Sequence, residues 1–314
     1  MEKIDISVII VNWNTKELLR ECLASIYKFT RSIHFEIIVV DNGSKDGSQA
    51  IVSKKFPQVK LIPNEDNLGF TKANNQGIKI AKGEYILLLN SDTYLIENSL
   101  QKLVEKAHSL EGPTLKNTVS RVGPSERLGA LAPLLLNSDR TIQQSVGFFP
   151  NLPQIFWWMS FVDDLPGGSF LKPYHLDHDS FYKKDHEVDW ITGAAFLIPK
   201  KVIEKMGGLD EKIFMYGEDV EWSYRIKKAG FKIYFSPITK IVHIARGSSS
   251  KISKNAILGE YKGIIYFYQK HKGLISLQIA RFLLKIGALA RILIFSILGR
   301  KETAKFYAEA LKMV

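Results

Sequence analysis

The sequence predicts an α/β fold in which helices flank a mostly parallel central sheet and a helical tail follows. Two observations support this prediction: apolar, β-branched runs alternate with helical patterns in the N-terminal third of the chain, and polar clusters end three of those runs. Strands that are apolar throughout are typical of parallel sheets that helices cover on both faces. At 314 residues, 46% of them hydrophobic and 24% charged, the chain is long enough for one large or two fused domains.

The predicted elements follow one another in a regular order. Strands are expected at residues 6–11, 35–40, 59–63 and 85–89, and helices at 15–29, 49–56, 71–81 and 99–110. After a Gly-, Pro-, Ser- and Thr-rich loop at 111–127 come an apolar segment at 128–136, an aromatic segment at 148–162, a strand at 191–199, helices at 202–207 and 219–229, and strands at 231–235 and 240–244. The His- and Asp-rich stretch 174–189 lacks the spacing of a metal site and predicts a solvated loop.

Polar clusters follow three of the predicted strands. They are Val11-Asn12-Trp13-Asn14, Asp41-Asn42-Gly43-Ser44 and Asn90-Ser91-Asp92. Each cluster alone fits a turn or a helix cap. Ligands of parallel α/β sheets bind beyond the carboxyl ends of the strands, so three clusters at one edge predict a binding site.

Individual residues in these clusters suit a nucleotide and a cation. Asp41 can accept hydrogen bonds from a base edge or a ribose, and Trp13 offers a flat face for stacking, although an Asx-turn and a core indole explain them equally well. Asp92 offers the carboxylate oxygen that Mg²⁺ and Mn²⁺ prefer, or a helix cap.

Two further groups of residues lie in the second half of the chain. Glu218 and Asp219 begin a predicted helix, where they either complement the helix dipole or supply a general base. His243 is on a predicted strand and precedes a stretch with Arg246, Gly and Ser that suits phosphate binding. A lone His on an apolar strand is also typical of a purely structural role.

Positive charge is concentrated in the last 64 residues. The net charge is +11, and residues 251–314 carry twelve Lys or Arg against three Glu, a net charge of +9. The apolar stretch 273–300 includes Arg281, Lys285 and Arg291, and each charge costs about 2.5–3.5 kcal/mol at a bilayer centre. We therefore predict an amphipathic helix that lies at a membrane surface with these residues on its polar side. The alternatives are packing on the body of the protein and a dimer contact.

Cysteine content and the N-terminus favour a reducing compartment. The single cysteine, Cys22, excludes an internal disulfide. The N-terminal MEKIDISVII lacks the basic and long apolar regions of a secretory signal.

The motifs and their order resemble the family 2 inverting glycosyltransferases, whose GT-A fold is Rossmann-like. The resemblance covers roughly residues 4–250 and rests on ISVIIVNWN, EIIVVDNGSKDGS, LLLNSD, ITGAAFLIPK and GGLDEKIFMYGEDVEWSYRIKKAG in that order. NLGFTKANNQGI is similar to a stretch of rhamnosyltransferase-like members. In LLLNSD, Asn90 replaces the first Asp of the family's Asp-x-Asp motif, which implies a weaker metal site.

The resemblance implies a domain layout and a role for each matching residue. Residues 1–250 would form the GT-A domain, with a nucleotide-binding half at 1–111 and an acceptor half at 128–250, and 251–314 the basic amphipathic tail. The implied nucleotide-binding residues are Val11, Trp13, Asn14, Asp41, Asn67, Asn75 and Ser91, and the implied donor and acceptor contacts are Trp190, Gly193 and Ala194. Asp92 and His243 would hold the metal, and Asp219 would be the catalytic base, with Glu218 orienting the acceptor.

The implied activity is transfer of a sugar with inversion. The donor would be a dTDP- or UDP-sugar, the cofactor Mg²⁺ or Mn²⁺, and the acceptor a glycan or a polyprenyl-diphosphate-linked intermediate of cell-surface polysaccharide synthesis. The enzyme would be cytoplasmic, held peripherally at the inner face of the cell membrane by its tail, with no nucleic-acid partner.

Two alternatives stay open. A sugar nucleotidyltransferase would need a Gly-rich basic loop after the first strand, which VNWNTKELL does not provide. A basic nucleic-acid-binding protein would carry its charge in a groove with exposed aromatics, whereas here the charge accompanies a long aliphatic face.

Overall fold

A computed structural model describes residues 3–111, 128–163, 165, 168–244 and 254–314. The first elements alternate as the sequence predicts. The strands are β1 (Ile6–Asn12), β2 (Phe35–Asn42), β3 (Lys60–Asn64) and β4 (Tyr85–Leu89), and the helices are α1 (Lys16–Phe29), α2 (Ser48–Lys55) and α3 (Phe70–Ile80). The four strands pair in parallel in the order β3-β2-β1-β4, so their carboxyl ends meet at one edge.

The second half adds strands of both directions. Its elements are β5 (Thr93–Leu95), α4 (Ser99–Glu111), β6 (Leu128–Leu136), β7 (Ile142–Gln143), β8 (Val146–Gly147), α5 (Leu152–Ser160), β9 (His186–Val188), β10 (Trp190–Ile191), β11 (Ala195–Pro199), α6 (Lys200–Met206), α7 (Glu218–Lys228) and β12 (Lys232–His243). β12 replaces the two short strands predicted at 231–235 and 240–244. A register shift between Phe235 and Lys240 interrupts its apolar pattern, which explains the wrong division.

Eight of the strands follow one another in a mixed sheet with the order β3-β2-β1-β4-β11-β6-β12-β5, to which β7 and β9 pair through β6 and β12. β8 and β10 form a separate two-stranded sheet. Strand side chains alternate between the two faces of the mixed sheet. On β4, for example, Leu87 and Leu89 pack into the core beneath α1 and α4, whereas Leu88 packs into the core on the opposite face. The predicted α/β class with a mostly parallel sheet, flanking helices and a C-terminal helical region is confirmed.

Three C-terminal helices form a bundle beside the sheet. They are α8 (Lys254–His271), α9 (Leu274–Ile297) and α10 (Lys301–Leu311), and they pack with α5 around a third core that includes Met159, Tyr261 and Leu284. Within the described residues, no helix is both long enough and apolar enough to cross a bilayer. Residues 112–127 of the predicted loop and Arg246 of the predicted phosphate-binding stretch lie outside the described residues.

Arg291 is buried, which corrects its predicted place on the polar side of α9. Its guanidinium donates to Trp158 O at 2.6 Å and Met159 O at 2.9 Å, and lies 4.3 Å from the centre of the Phe161 ring. These carbonyls lie in the last turn of α5, where backbone acceptors lack partners within the helix. The buried cation therefore joins α5 to α9 instead of facing solvent.

The opposite side of α9 is apolar and exposed. Seven side chains that recur three or four residues apart form this α9 ridge, and each is 42–81% exposed: Ile275, Ile279, Phe282, Ile286, Leu289, Leu293 and Ile297. The residues that the helix buries on its other side include three small ones, Ala280, Gly287 and Ala288. Its 24 residues give the ridge a length of about 36 Å.

Candidate active site

The carboxylate of Asp41, at the end of β2, is buried and hydrogen-bonded. Asn12 Nδ2 donates to its Oδ1 at 2.8 Å, while Ser44 N and Gln49 Nε2 donate to its Oδ2 at 3.0 and 2.8 Å. The side chain has no exposed surface. Because each carboxylate oxygen accepts about two hydrogen bonds, Oδ1 retains capacity for one further donor.

The loops after β1 and β2 are hydrogen-bonded to each other. Asn14 N donates to Ser44 Oγ, and Lys45 N donates to Asn14 Oδ1, both at 2.8 Å. Asn14 has a φ of 53°, a left-handed conformation that Asn tolerates better than most residues. Trp13 is 55% exposed, which excludes the alternative of a core indole and leaves its ring face accessible.

The loop after β4 joins the same edge. Thr15 Oγ1 donates to Asn12 Oδ1 at 2.5 Å, so at the 3.0 Å contact between Thr15 Oγ1 and Ser91 Oγ the serine is the donor. Ser91 is the middle residue of the Asn90-Ser91-Asp92 cluster. All three predicted polar clusters therefore meet at the carboxyl edge of the parallel strands.

His243, on β12, pairs with Asp92. Gln143 Nε2 donates to His243 O at 3.2 Å, which makes Gln143 Oε1 the acceptor for His243 Nδ1–H at 2.6 Å. His243 Nε2 is then an acceptor, and it lies 3.3 Å from Asn90 Nδ2 and 3.2 Å from Asp92 Oδ1. Two acceptors at that distance repel each other unless a proton or a cation lies between them.

This donor set fits a divalent cation. A metal-binding His commonly donates its other ring N–H to a neighbour, as His243 does to Gln143. Among the described residues, no cluster of three or more His, Cys, Asp or Glu could hold a metal, so Asp92 and His243 would be a two-residue site. Mg²⁺ usually takes only one or two protein carboxylates and completes its shell with phosphate oxygens and water.

Asp219, in the first turn of α7, reaches the same edge through the segment before β11. Gly193 N donates to Asp219 Oδ2 at 3.2 Å, and the next residue, Ala194, accepts a hydrogen bond from Asn90 N at 3.0 Å. A continuous path of backbone and hydrogen bonds therefore connects Asp41, Asp92 and Asp219, which lie far apart in the sequence.

Comparison with known proteins points to one family of enzymes. A model described as glycosyl transferase family 2 matches residues 7–114, which include the loops of Asp41 and Asp92. The N-acetylglucosaminyl-diphospho-decaprenol L-rhamnosyltransferase of Mycobacterium tuberculosis is 24% identical over 278 residues, which is 85% of each chain. The comparisons support a glycosyltransferase of family 2, whose model matches the N-terminal third of the chain.

Solved structures show the same fold. The crystal structure of GalNAc-T7 with UDP, GalNAc and Mn²⁺ aligns with a TM-score of 0.56 at 18% identity, over 85% of this glycosyltransferase and 48% of that chain. A fragment of S. aureus TarS aligns with a TM-score of 0.52 at 14% identity, over 98% of this chain and 90% of that one. The second alignment includes most of the C-terminal helices.

Glu218 and Asp219 differ in their environment within the glycosyltransferase. Glu218 is 6% exposed, and its Oε2 has no hydrogen-bond partner among the described residues. Burial, together with the neighbouring Asp219 charge, raises the pKa of Glu218 to about 8. Burial also raises the pKa of Asp219, but backbone N–H groups of Val220 and Gly193 and the nearby His175 oppose that rise. At neutral pH the proton therefore resides on Glu218, and Asp219 is the better proton acceptor.

The buried Glu218 makes stability depend on pH. Because its pKa rises on folding from the ordinary 4.5 to about 8, the folded state binds more protons than the unfolded state between those values. The free energy of unfolding should fall across this window, by an amount on the order of a few kcal/mol. Urea denaturation of Glu218→Gln should show a much flatter dependence, whereas Glu105→Gln, on the exposed side of α4, should match the wild type. If the free energy of unfolding of Glu218→Gln fell with pH as steeply as that of the wild type, Glu218 would not be a buried, protonated carboxyl.

Some predicted site residues have other partners in the structure. The side-chain amide of Asn75 makes two hydrogen bonds to the loop before α7. Its Nδ2 donates to Leu209 O and its Oδ1 accepts from Leu209 N, both at 2.9 Å. Trp190 is 7% exposed, and its indole N–H donates to Phe148 O and Tyr174 O. Both side chains are thus held by neighbouring segments, and their assignment to the nucleotide and to the donor or acceptor stays a prediction.

Asn67 and Val11 lie closer to the strand edge. Asn67 Oδ1 accepts from Gly69 N at 3.0 Å and from Asn42 Nδ2 at 3.3 Å, so it shapes the turn before α3. Val11 is half-buried on β1, directly before Asn12.

Other residues at the site carry no signal in the sequence. The Phe70 ring packs so close to Gly193 that a Cβ there would lie 3.3 Å from it. Gln143 fixes the ring of His243, and His175 lies near Asp219. Each depends on a contact between segments distant in sequence, which neither periodicity nor spacing predicts.

Proposed function

We propose that the protein transfers a sugar, with inversion at the anomeric carbon, from a dTDP- or UDP-sugar to a polyprenyl-diphosphate-linked glycan acceptor. One observation carries this proposal: Asp219 bonds to Gly193, and Ala194 beside it bonds to Asn90 of the strand-edge cluster. A potential base thus lies next to the edge at which α/β sheets bind nucleotides. Residues 1–111 would form the nucleotide-binding half and residues 128–250 the acceptor half.

The donor nucleotide would occupy the edge formed by the loops after β1, β2 and β4. Trp13 would stack on the base. Asp41, which is buried beneath the edge, would hold Asn12 and the Ser44 loop in the arrangement that receives the nucleotide. Asn14 and Ser91 would line the loops that Ser44 and Thr15 hold together. Asn67 and Val11 would support this pocket, and Gly193 and Ala194 would leave room for the donor sugar.

Asp92 and His243 would hold a divalent cation on the donor diphosphate. When bound, Mg²⁺ or Mn²⁺ would offset the negative charge that grows on the leaving diphosphate. The GalNAc-T7 structure contains Mn²⁺ and UDP, which supports a divalent cation at this fold's nucleotide site. Asn90, in place of a second carboxylate, can contribute only a neutral oxygen, so we expect weak metal affinity.

The protein's own residues would carry the proton transfer. The acceptor hydroxyl oxygen forms a bond to the anomeric carbon as the bond from that carbon to the diphosphate oxygen breaks. The hydroxyl proton passes to Asp219, and the nucleoside diphosphate leaves with the bonding electrons. Protonated Glu218 would orient the acceptor by a hydrogen bond. Gly193 N–H would hold Asp219 in place.

A lipid-linked acceptor fits the relatives and the C-terminal bundle. The M. tuberculosis relative is by name a transferase to a diphospho-decaprenol-linked sugar. The α9 ridge exposes seven large apolar side chains in one line, and Lys285 is exposed beside it. A helix with this pattern lies in the interface of a bilayer, and each flanking cation adds about 1 kcal/mol on an anionic leaflet. We propose that the enzyme is cytoplasmic and binds the inner face of the cell membrane through this ridge.

The two alternative functions have less support. The loops after β1 and β2 contain one cation between them, Lys45, where a nucleotidyltransferase would need several for a triphosphate. The apolar ridge, rather than a basic groove with aromatics, is the longest exposed feature of α9, which favours lipid over nucleic acid.

A donor screen tests the proposed function. Thermal unfolding is measured with UDP-, dTDP- and GDP-sugars, each with Mn²⁺, Mg²⁺ or EDTA. We expect stabilisation by a UDP- or dTDP-sugar that is larger with the cation, and its loss in Asp92→Ala and Asp41→Ala. Asp139→Asn, in an exposed turn, serves as the control. Stabilisation by RNA or by a nucleoside triphosphate alone would favour one of the alternatives.

A further inference from the structure

Helix α8 packs directly against the segment that leads into the base. A Cβ on Gly259 would lie 2.3 Å from the Tyr216 ring, and one on Gly263 would lie 3.1 Å from Gly217 Cα. Gly217 has a φ of 88°, a conformation that favours glycine, and it directly precedes Glu218. The backbone before Glu218 therefore rests on a helix that belongs to the C-terminal bundle.

The same side of α8 carries Glu260, which binds His175. The distance from His175 Nε2 to Glu260 Oε1 is 2.5 Å. The imidazole is held by aromatic rings, with Tyr174 at 4.3 Å and Trp190 at 5.6 Å between centroids. The two side chains are 38% and 25% exposed, so the ion pair joins the bundle to the body without being sealed from water.

His175 is connected to Asp219 indirectly, through Trp190 and Gly193. Its ring stands edge-on to Trp190, at an interplanar angle of 87°. Trp190 is on β10, three residues before Gly193, whose N–H holds Asp219. The charged groups that face His175 are Glu260, Asp163 and Asp219, all acidic, and Glu260 raises the pKa of the imidazole against the opposing effect of burial.

We propose that His175 is a positioning residue for Asp219 and that Glu260 holds it there, so that α8 completes the active site. This role rests on the proposed function, in which Asp219 is the base. The imidazolium would keep Asp219 ionised, while the contact of Gly263 with Gly217 would fix the start of α7. The alternative is that the ion pair only fastens α8 to the body.

Two conservative substitutions separate these roles. In His175→Asn and Glu260→Gln we expect kcat to fall by about 10- to 100-fold, because small displacements of a catalytic group cost up to about that much, with the donor KM unchanged. In His175→Asn the acidic limb of the kcat–pH profile should also move to higher pH, since Asp219 loses a cation that favours its charged form. Glu260→Gln keeps the imidazole, so its acidic limb should not move to higher pH. His178→Asn, on the same loop and paired with Asp177, is the matched control.

The outcomes distinguish this role from the base assignment. Asp219→Asn is measured beside the other variants, and thermal unfolding confirms that each is folded. If Asp219→Asn is inactive while His175→Asn and Glu260→Gln keep wild-type kcat and the wild-type acidic limb, the positioning role is wrong. A fall in kcat with an unmoved limb in His175→Asn would also overturn it, in favour of a fastening role. Normal turnover by Asp219→Asn would instead refute the proposed base.

Discussion

Asp219→Asn is expected to lower sugar transfer by about 10²–10⁴-fold, the usual contribution of a general base. The amide has nearly the shape of the carboxylate and can still accept the hydrogen bond from Gly193 N. It cannot take up the acceptor proton. Donor binding, which depends on the strand-edge loops, should therefore survive. The measurement is kcat of transfer beside the donor Kd from calorimetry.

Asp139→Asn is the control for this prediction. Asp139 also accepts a backbone hydrogen bond, from Thr141 N at 3.0 Å, but in an exposed turn far from α7 in sequence. Its variant should transfer sugar at the wild-type rate. If Asp219→Asn lost donor affinity in proportion to its activity, Asp219 would be a binding residue, and the proposed mechanism would lack its base.

Two charges on the α9 ridge are expected to abolish membrane binding. Phe282 and Ile286 are 60% and 49% exposed, and burying a large apolar side chain is worth about 1.5–3 kcal/mol. Phe282→Glu with Ile286→Glu should therefore weaken binding to anionic vesicles by about 10²-fold or more. The folded state should be unaffected because neither side chain is in the core. Vesicle flotation measures the effect.

A matched double variant on the same helix controls for the added charge. Gln278 and Ser296 are exposed on the polar flank of α9, so Gln278→Glu with Ser296→Glu adds the same charge without removing apolar surface. It should bind more weakly only by the electrostatic cost, about 1 kcal/mol per charge. If the ridge variant floated normally but changed elution in gel filtration, the ridge would be a dimer contact and not a membrane surface.

The parallel half of the fold could be predicted because its signals are local. β1, β2 and β4 are apolar runs of five to eight residues, and the helices between them repeat apolar residues at helical spacing. β5 could not be predicted in the same way. It has three residues, and its pairing with β12 aligns Thr93 with His243 across the chain.

Helix faces were predicted less well than helix positions. The sequence placed Arg291 with Arg281 and Lys285 because charged residues usually face water. The structure buries it because α5 ends beside α9 and presents two carbonyl acceptors. A long-range packing partner therefore changes which side of an amphipathic helix is exposed, and here it left the Leu, Ile and Phe side uncovered.

The site residues also divide into those that local sequence patterns predict and those that depend on long-range contacts. Asp41 and Asp92 could be predicted as neighbours because parallel strands end at one edge. That Asp219 bonds to Gly193 depends on how the second half folds back. Only the resemblance to a known family assigned both residues to one site. The hydrogen bonds of Asn75 and Trp190 and the position of His175 have no sequence pattern, because each is set by a contact with a distant segment.

Identification of the products of one reaction tests the central claim most directly. The enzyme is incubated on anionic vesicles with the donor selected by the thermal screen, a divalent cation and a polyprenyl-diphosphate-linked sugar. We expect a lipid product longer by one sugar, of inverted anomeric configuration, and one nucleoside diphosphate released per transfer. Release of inorganic diphosphate with formation of a new nucleotide–sugar bond, or a product that retains the donor's configuration, would contradict sugar transfer by Asp219 in a single displacement.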